Sequence, residues 1–137
     1  MNVNESIKKH EGYSPTIYED SVGVPTLGFG FNLLEPMPKP VADLWLAILI
    51  DRHEKELQEY HWYNSLDPVR QDALLDMHYN LGDSKFREFK KMIRALANKK
   101  YDEAAKEMLD SKWASQVGDR ATELASIMIN GANTSTR

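Results

Sequence analysis

Glu11, Asp20 and Thr26 put two carboxylic acids and a hydroxyl into one short stretch, His10-Glu11-Gly12-Tyr13, Tyr18-Glu19-Asp20 and Thr26-Leu27-Gly28-Phe29-Gly30. One acid that keeps its proton and one that has lost it are the groups that cleave a glycosidic bond. The first protonates the leaving oxygen and the second activates water. Val3, Ile7 and Glu11 recur at i, i+4 and i+8, so they share one face of a short N-terminal helix that Gly12 stops. On that apolar face, at the negative end of the helix dipole, partial burial disfavours the carboxylate and suits Glu11 to a general acid. Asp20 adjoins the turn Ser21-Val22-Gly23-Val24, where water keeps it ionised and able to act as base. Taken singly, the plainer reading is that Glu11 ends a helix and Asp20 caps a turn; the acid–base reading rests on the pair.

The run Thr26 to Phe31 alternates with period two and predicts one strand. Leu27, Phe29 and Phe31 then point one way, and Thr26, Gly28 and Gly30 the other. Glycines leave the backbone bare, so a flat sugar ring can approach, and Gly30 becomes a candidate substrate contact. The Thr26 hydroxyl on that face can help Asp20 hold a water. The alternative is that the glycines serve a bulge and Thr26 is an ordinary strand residue.

The elements around these residues follow from pattern and punctuation. Three prolines in Glu35-Pro36-Met37-Pro38-Lys39-Pro40 predict a loop, and an apolar-periodic segment from Val41 to Tyr60 predicts a long helix. Asp67 caps a helix whose first residue is Pro68 and which stops at Gly82. Further helices are expected at Phe86–Ala97, Asp102–Leu109 and Asp119–Ile129, with Gly131 as a stop and a frayed polar tail from Asn130 to Arg137. The expected fold is α+β and mostly helical. A small N-terminal α/β lobe with a short antiparallel sheet (1–40) is joined by a helix (41–60) to a helical lobe (61–137), the whole forming one domain of 137 residues with a cleft for a ligand between the lobes.

Composition narrows the partners. A hydrophobic fraction of 42% supports a real core. The longest apolar run, Leu44 to Ile50, is too short to span a bilayer, and Met1-Asn2-Val3-Asn4 carries no signal-peptide pattern. A soluble protein made in a reducing cytoplasm, without stable membrane association, is expected. With no cysteine there are no disulfides and no thiolate metal sites. A net charge of −4 argues against nucleic acid, although Lys85 to Lys100 carries seven basic residues against Glu88 alone. That stretch is a solvated helix face or a local basic surface for an anionic polymer. His10, His53, His61 and His78 are scattered and fit no HExxH-type frame, so neither metal nor organic cofactor is expected.

The combination resembles the bacteriophage-type lysozymes, the endolysins of glycoside hydrolase family 24. It lies in the helix-ending Glu11-Gly12, Asp20 nine residues later, Thr26 six after that, and the strand Thr26-Leu27-Gly28-Phe29-Gly30. Ser65-Leu66-Asp67-Pro68-Val69-Arg70, Tyr101-Asp102-Glu103-Ala104-Ala105, and Ser111-Lys112-Trp113 followed by Asp119-Arg120-Ala121 resemble its helical lobe, in the same order. The resemblance implies a lysozyme-like fold and a muramidase. Such an enzyme hydrolyses the β-1,4 bond between N-acetylmuramic acid and N-acetylglucosamine of peptidoglycan, with inversion and without a cofactor. Glu11 is then the acid and Asp20, aided by Thr26, the base, with the carboxyls about 6.5–9.5 Å apart. Arg120 matches the arginine that pairs with the catalytic glutamate, and Phe31, Asn32, Tyr79, Asn80 and Phe89 resemble substrate contacts. Phe31 stands where the best-known members carry histidine, and the segment between it and the long helix is short. A monomer that reaches the cell wall by holin-type release or by injection is implied, serving host lysis. The alternative from a different class is a non-catalytic peptidoglycan-binding or virion structural module on the same fold, and within enzymes a lytic transglycosylase.

Overall fold

Asn2 opens the first helix: its side-chain oxygen accepts the Glu5 amide at 2.9 Å, and α1 runs from Val3 to Glu11. In this computed structural model, which describes residues 2–132, α1 is followed by β1 (Ser14–Glu19), β2 (Pro25–Gly28) and β3 (Phe31–Asn32). The strands form an antiparallel sheet in the order β1-β2-β3, with Tyr18 opposite Thr26 and Thr26 opposite Asn32. A register shift between Ser14 and Tyr18 marks a bulge in β1.

The expected single strand Thr26 to Phe31 is therefore two. Leu27 pairs with Phe31, and the three residues between them make a hairpin loop. Gly28 and Gly30, with φ of +70° and +76°, supply the left-handed conformations that this reversal needs. Period-two alternation across a glycine-rich tight turn mimics a continuous strand, which is why the pattern misled.

The chain divides into two compact units, Met1–Asp43 and Leu44–Arg137. Helix α2 (Lys39–Leu57) starts at the end of the first unit, with Pro40 admitted in its opening turn, and continues in the second. Its apolar stretch leaves Leu44, Trp45 and Ile48 exposed, and burial begins at His53 and Leu57. A 3-10 turn at Tyr63–Ser65 leads to α3 (Pro68–Leu81), capped by Asp67 and ended by Gly82 as its sequence predicts. The helix expected over Phe86–Ala97 is two, α4 (Asp83–Arg87) and α5 (Lys90–Ala97), separated at Glu88-Phe89. Then come α6 (Tyr101–Leu109), α7 (Lys112–Val117), which the sequence pattern did not announce, and α8 (Asp119–Asn130), with Gly131 at its end. Residues 133–137 of the expected frayed tail lie outside the described residues.

In the second unit α6 packs on α5 and α8, and α3 on α8, around Leu57, Leu74, Met77, Phe86, Met92 and Met108, all without exposed surface. Arg70 ties the start of α3 to the end of α8. It donates to the carbonyls of Met128 (2.7 Å) and Ile129 (2.9 Å), pairs with Asp67 at 3.0 Å, and lies 4.0 Å over the Tyr101 ring. The result is an α+β protein, mostly helical, with one small antiparallel sheet. None of the described helices is long and apolar enough to cross a membrane.

Candidate active site

Glu11 is the last residue of α1, where Gly12 (φ 71°) turns the chain and donates its amide to the Lys8 carbonyl at 2.9 Å. Its side chain is exposed, and no residue of α1 is buried. The partial burial expected for its helix face is thus absent, because Val3 and Ile7 on that face are themselves 73% and 50% exposed. The carboxyl does have a near neighbour in Gly30. A Cβ built there would lie 2.8 Å from Glu11 Cδ and 2.9 Å from both carboxyl oxygens. Gly30 is therefore required twice, for its positive φ and for the room it leaves the acid.

The same correction applies at Gly28, where a Cβ would overlap the Phe31 ring. The bared glycine face expected to admit a sugar is filled from within the protein, by a carboxyl and an aromatic ring. Phe31, 58% exposed, stands edge-on to Phe29 at 6.2 Å; Phe29 in turn meets Tyr13 at 5.4 Å, and Lys8 lies 5.3 Å from its ring centre. This small aromatic and cationic cluster stands in place of a buried core in the first unit. Asn32 is exposed and accepts the Leu34 amide at 2.8 Å, shaping the exit from the sheet.

Asp20 closes the first hairpin. Its Oδ1 accepts the amides of Val22 and Val24, both at 2.9 Å, while its own amide donates to the Val24 carbonyl at 3.0 Å. The side chain is exposed, as its turn position predicts. Thr26 is 3% exposed, and its hydroxyl donates to the Val24 carbonyl at 2.8 Å. Val24 thus joins the two, giving its N–H to Asp20 and taking the Thr26 proton on its C=O. With its proton committed, Thr26 Oγ1 is left as an acceptor.

The site residues expected in the second unit fall into two groups. Asn80 Oδ1 accepts Trp113 Nε1–H at 2.7 Å, and Phe89 meets Trp113 edge-on at 6.4 Å. Phe89 and Trp113 line a surface cavity of about 620 Å³ that also carries Lys85, Lys90, Lys91 and Lys112. The basic stretch seen in the sequence therefore borders an aromatic-floored cavity, although Glu88, Glu107 and Asp110 share the rim. Tyr79 and Arg120 line a smaller cavity of about 410 Å³ with Asp76. Within the second unit Arg120 pairs with the Asp76 carboxylate at 2.6 Å. Asp76 lies on α3 and Arg120 in the first turn of α8, so this ion pair fastens two helices that already pack together.

Nothing in sequence order pairs His53 with His78, yet folding brings their Nδ1 atoms to 2.8 Å. His78 Nε2 reaches Asp83 Oδ1 at 2.9 Å, Asp83 Oδ2 accepts Arg87 Nε at 2.7 Å, and Arg87 reaches Glu59 at 3.1 Å. Burial pushes the His53 imidazole below its ordinary range, and the neighbouring His78 adds to this. Burial alone would raise the Asp83 carboxyl, but hydrogen bonds from Arg87 and His78 together outweigh it and hold it low. The sequence signals for this cluster were local, His53 and Glu56 at i, i+3 and Asp83 and Arg87 at i, i+4, and neither joins the two histidines.

Residues 8–126 match the phage lysozyme family. The chain belongs to that family. Two relatives from Dictyostelium discoideum, named probable T4-type lysozymes 2 and 1, are 36% and 33% identical over 69 residues, covering 50% of this chain and 41% of each of them. The pre-baseplate central spike protein Gp5 of Enterobacteria phage T4 is 22% identical over 161 aligned positions, covering 96% of this chain and 28% of that protein. The chain thus spans less than half the length of these relatives. The phage lysozyme match takes in Glu11, Asp20 and Thr26 in the first unit, and Tyr79, Asn80, Phe89 and Arg120 in the second.

Proposed function

We propose that the chain is a peptidoglycan hydrolase, a muramidase that cleaves the β-1,4 bond between N-acetylmuramic acid and N-acetylglucosamine with inversion, its two units acting as one lysozyme domain. The observation that carries this reading is the seating of the Glu11 carboxyl against Gly30, on the sheet that also joins Asp20 to Thr26 through Val24. Glu11 gives its proton to the glycosidic oxygen as the C1–O bond breaks. A water attacks the anomeric carbon from the opposite face, passing one proton to Asp20 and directing its other hydrogen at Thr26 Oγ1, which can only accept. Exchange with solvent then returns a proton to Glu11 and removes one from Asp20. Phe31 and Asn32, with Tyr79, Asn80 and Phe89, would make the sugar contacts. The partner is bacterial peptidoglycan, met by a monomer made in a bacterial cytoplasm and delivered to the wall by release or injection.

The likeness to a spike protein over 96% of this chain favours a second reading, a virion structural module that holds wall polymer without cutting it. One experiment separates the two. Purified peptidoglycan is incubated with wild type and with Glu11→Gln, and the soluble products are weighed by mass spectrometry. Hydrolysis by wild type adds one water per cut, and Glu11→Gln lowers the rate by about 10²–10⁴-fold while leaving the melting temperature unchanged. Wall binding without cleavage by wild type selects the structural module, and products lacking the added water select a transglycosylase.

A further inference from the structure

We infer that His53, Glu56 and His78 form a site for one divalent transition-metal ion of the zinc class, clasping α2 to α3 within the second unit. Two imidazoles and a carboxylate are a ligand set that such ions favour. One ligand atom from each of His53, Glu56 and His78 lies within 4.8 Å of the other two; the histidine Nδ1 atoms are 2.8 Å apart and His53 Nδ1 is 3.8 Å from Glu56 Oε1.

The protonation pattern sharpens the assignment. Asp83 is held ionised by Arg87 and can only accept, so His78 Nε2 carries the hydrogen in their 2.9 Å contact. The Nδ1 atoms of the two rings lie 2.8 Å apart, a contact that takes one shared proton between two ring nitrogens. A metal ion would replace that proton. A carboxylate behind the far nitrogen of a ligating histidine is the arrangement that fixes its tautomer and raises its basicity as a ligand. His78 has no exposed surface and is clamped in this way.

The spacing needs little adjustment. Metal–nitrogen distances of about 2.0–2.1 Å in a tetrahedron set two ligating nitrogens about 3.3 Å apart, so the rings would separate by about 0.5 Å. Glu56, whose side chain is 36% exposed, gives the ion a route in and brings its oxygen from the open side. A water completes the tetrahedron. The site uses residues of the second unit alone, none of them Glu11, Asp20 or Thr26, and does not depend on the hydrolase reading.

The test uses the full chain stripped with a chelator and titrated with Co²⁺, followed by visible absorption, then with Zn²⁺ in competition. One Co²⁺ per chain with the intense spectrum of a four-coordinate site is expected, displaced by Zn²⁺ and accompanied by a higher melting temperature, since the ion binds the folded form. Glu56→Gln, a change at the surface that leaves both rings in place, is expected to weaken Co²⁺ at least tenfold; His53→Gln abolishes the spectrum. Circular dichroism checks that each variant is folded, and Glu56→Gln keeps the test alive if His53→Gln is not. Failure of wild type to saturate at one ion per chain up to millimolar Co²⁺ would overturn the site. So would a Glu56→Gln affinity equal to that of wild type.

Discussion

In the second unit Leu74, Met77, Phe86 and Met92 have no exposed surface, whereas among the described residues of the first the buried ones are Thr26 and Gly28. One unit is held by close-packed side chains. The other is held by backbone geometry: an Asx-closed turn at Asp20, a bulge in β1, and glycines at positive φ in the β2–β3 hairpin. All three residues proposed for the chemistry lie in the thinly packed unit. A small sheet on tight turns fixes where a carboxyl points with few atoms, and it keeps that carboxyl near the surface where a polymer can reach it. The second unit carries the buried apolar core, and burial of apolar area is the main stabilising contribution in a domain of this size.

The contrast breaks first if core truncation is harmless. Leu74→Ala removes a wholly buried side chain and is expected to cost about 2–5 kcal/mol of stability in urea unfolding, with activity per folded molecule unchanged. The matched change Ile7→Ala, at a position 50% exposed, should cost no more than about 0.5 kcal/mol. Equal costs would mean that the first unit is packed as tightly as the second. Gly30→Ala reverses the pattern. A Cβ 2.8 Å from the Glu11 carboxyl, on a backbone at φ +76°, should reduce peptidoglycan cleavage by about 100-fold through displacement of the acid. The backbone strain should lower stability by only about 1–2 kcal/mol. A stability loss with full activity would show that Gly30 serves the turn and not Glu11.

The two units also differed in how far their sequence could be read. Helix ends marked by capping chemistry were legible: Asn2 is not an obvious start, but Gly12, Asp67-Pro68, Gly82 and Gly131 each stop or open a helix where the pattern places it. The Glu11, Asp20 and Thr26 set stands out in the sequence because three residue types fall at one family-like spacing, and the Glu11→Gln comparison tests whether they act together. What was not legible depends on contacts made only after folding. Thr26 to Phe31 satisfies a strand pattern and a hairpin pattern equally, and positive φ at Gly28 and Gly30 decides between them. The Arg120–Asp76 and His53–His78 pairs join residues 44 and 25 positions apart, beyond any periodicity. Trp113 lies in a segment that resembles the family's helical lobe, but nothing local announces Asn80 and Phe89 as its neighbours.

Acid should find the second unit's weak point in two steps. The His53 pKa is lowered by burial and by His78, so the neutral ring's contribution is complete above pH 6.5 and is lost as pH falls below that ordinary value toward the folded one. Asp83 is also held below its ordinary 3.8, so its contribution is lost only in a second, more acidic window beneath that value. Chemical denaturation at a series of pH values, with chelator present throughout, should therefore show stability falling below pH 6.5 in wild type. His53→Gln should flatten that first decline and leave the second. An unchanged first decline would place its origin outside His53.

The smallest expected effect concerns Arg120, which pairs with Asp76 within the second unit and which the family resemblance pairs with Glu11. Its contact with Asp76 is 38% and 45% exposed on the two sides, so solvent screens it and it should contribute at most about 1 kcal/mol, less in high salt. Asp76→Asn and Arg120→Gln should then cost the same small amount in thermal unfolding, and the double variant no more than either. A partner role for Glu11 would add something the ion pair with Asp76 does not. Arg120→Gln, but not Asp76→Asn, would move the alkaline limb of the pH–activity profile, because loss of a nearby cation makes a general acid hold its proton to higher pH. Identical profiles for the two variants would leave Arg120 as a fastener between α3 and α8. A shift confined to Arg120→Gln would carry the influence of the packed unit into the chemistry of the other.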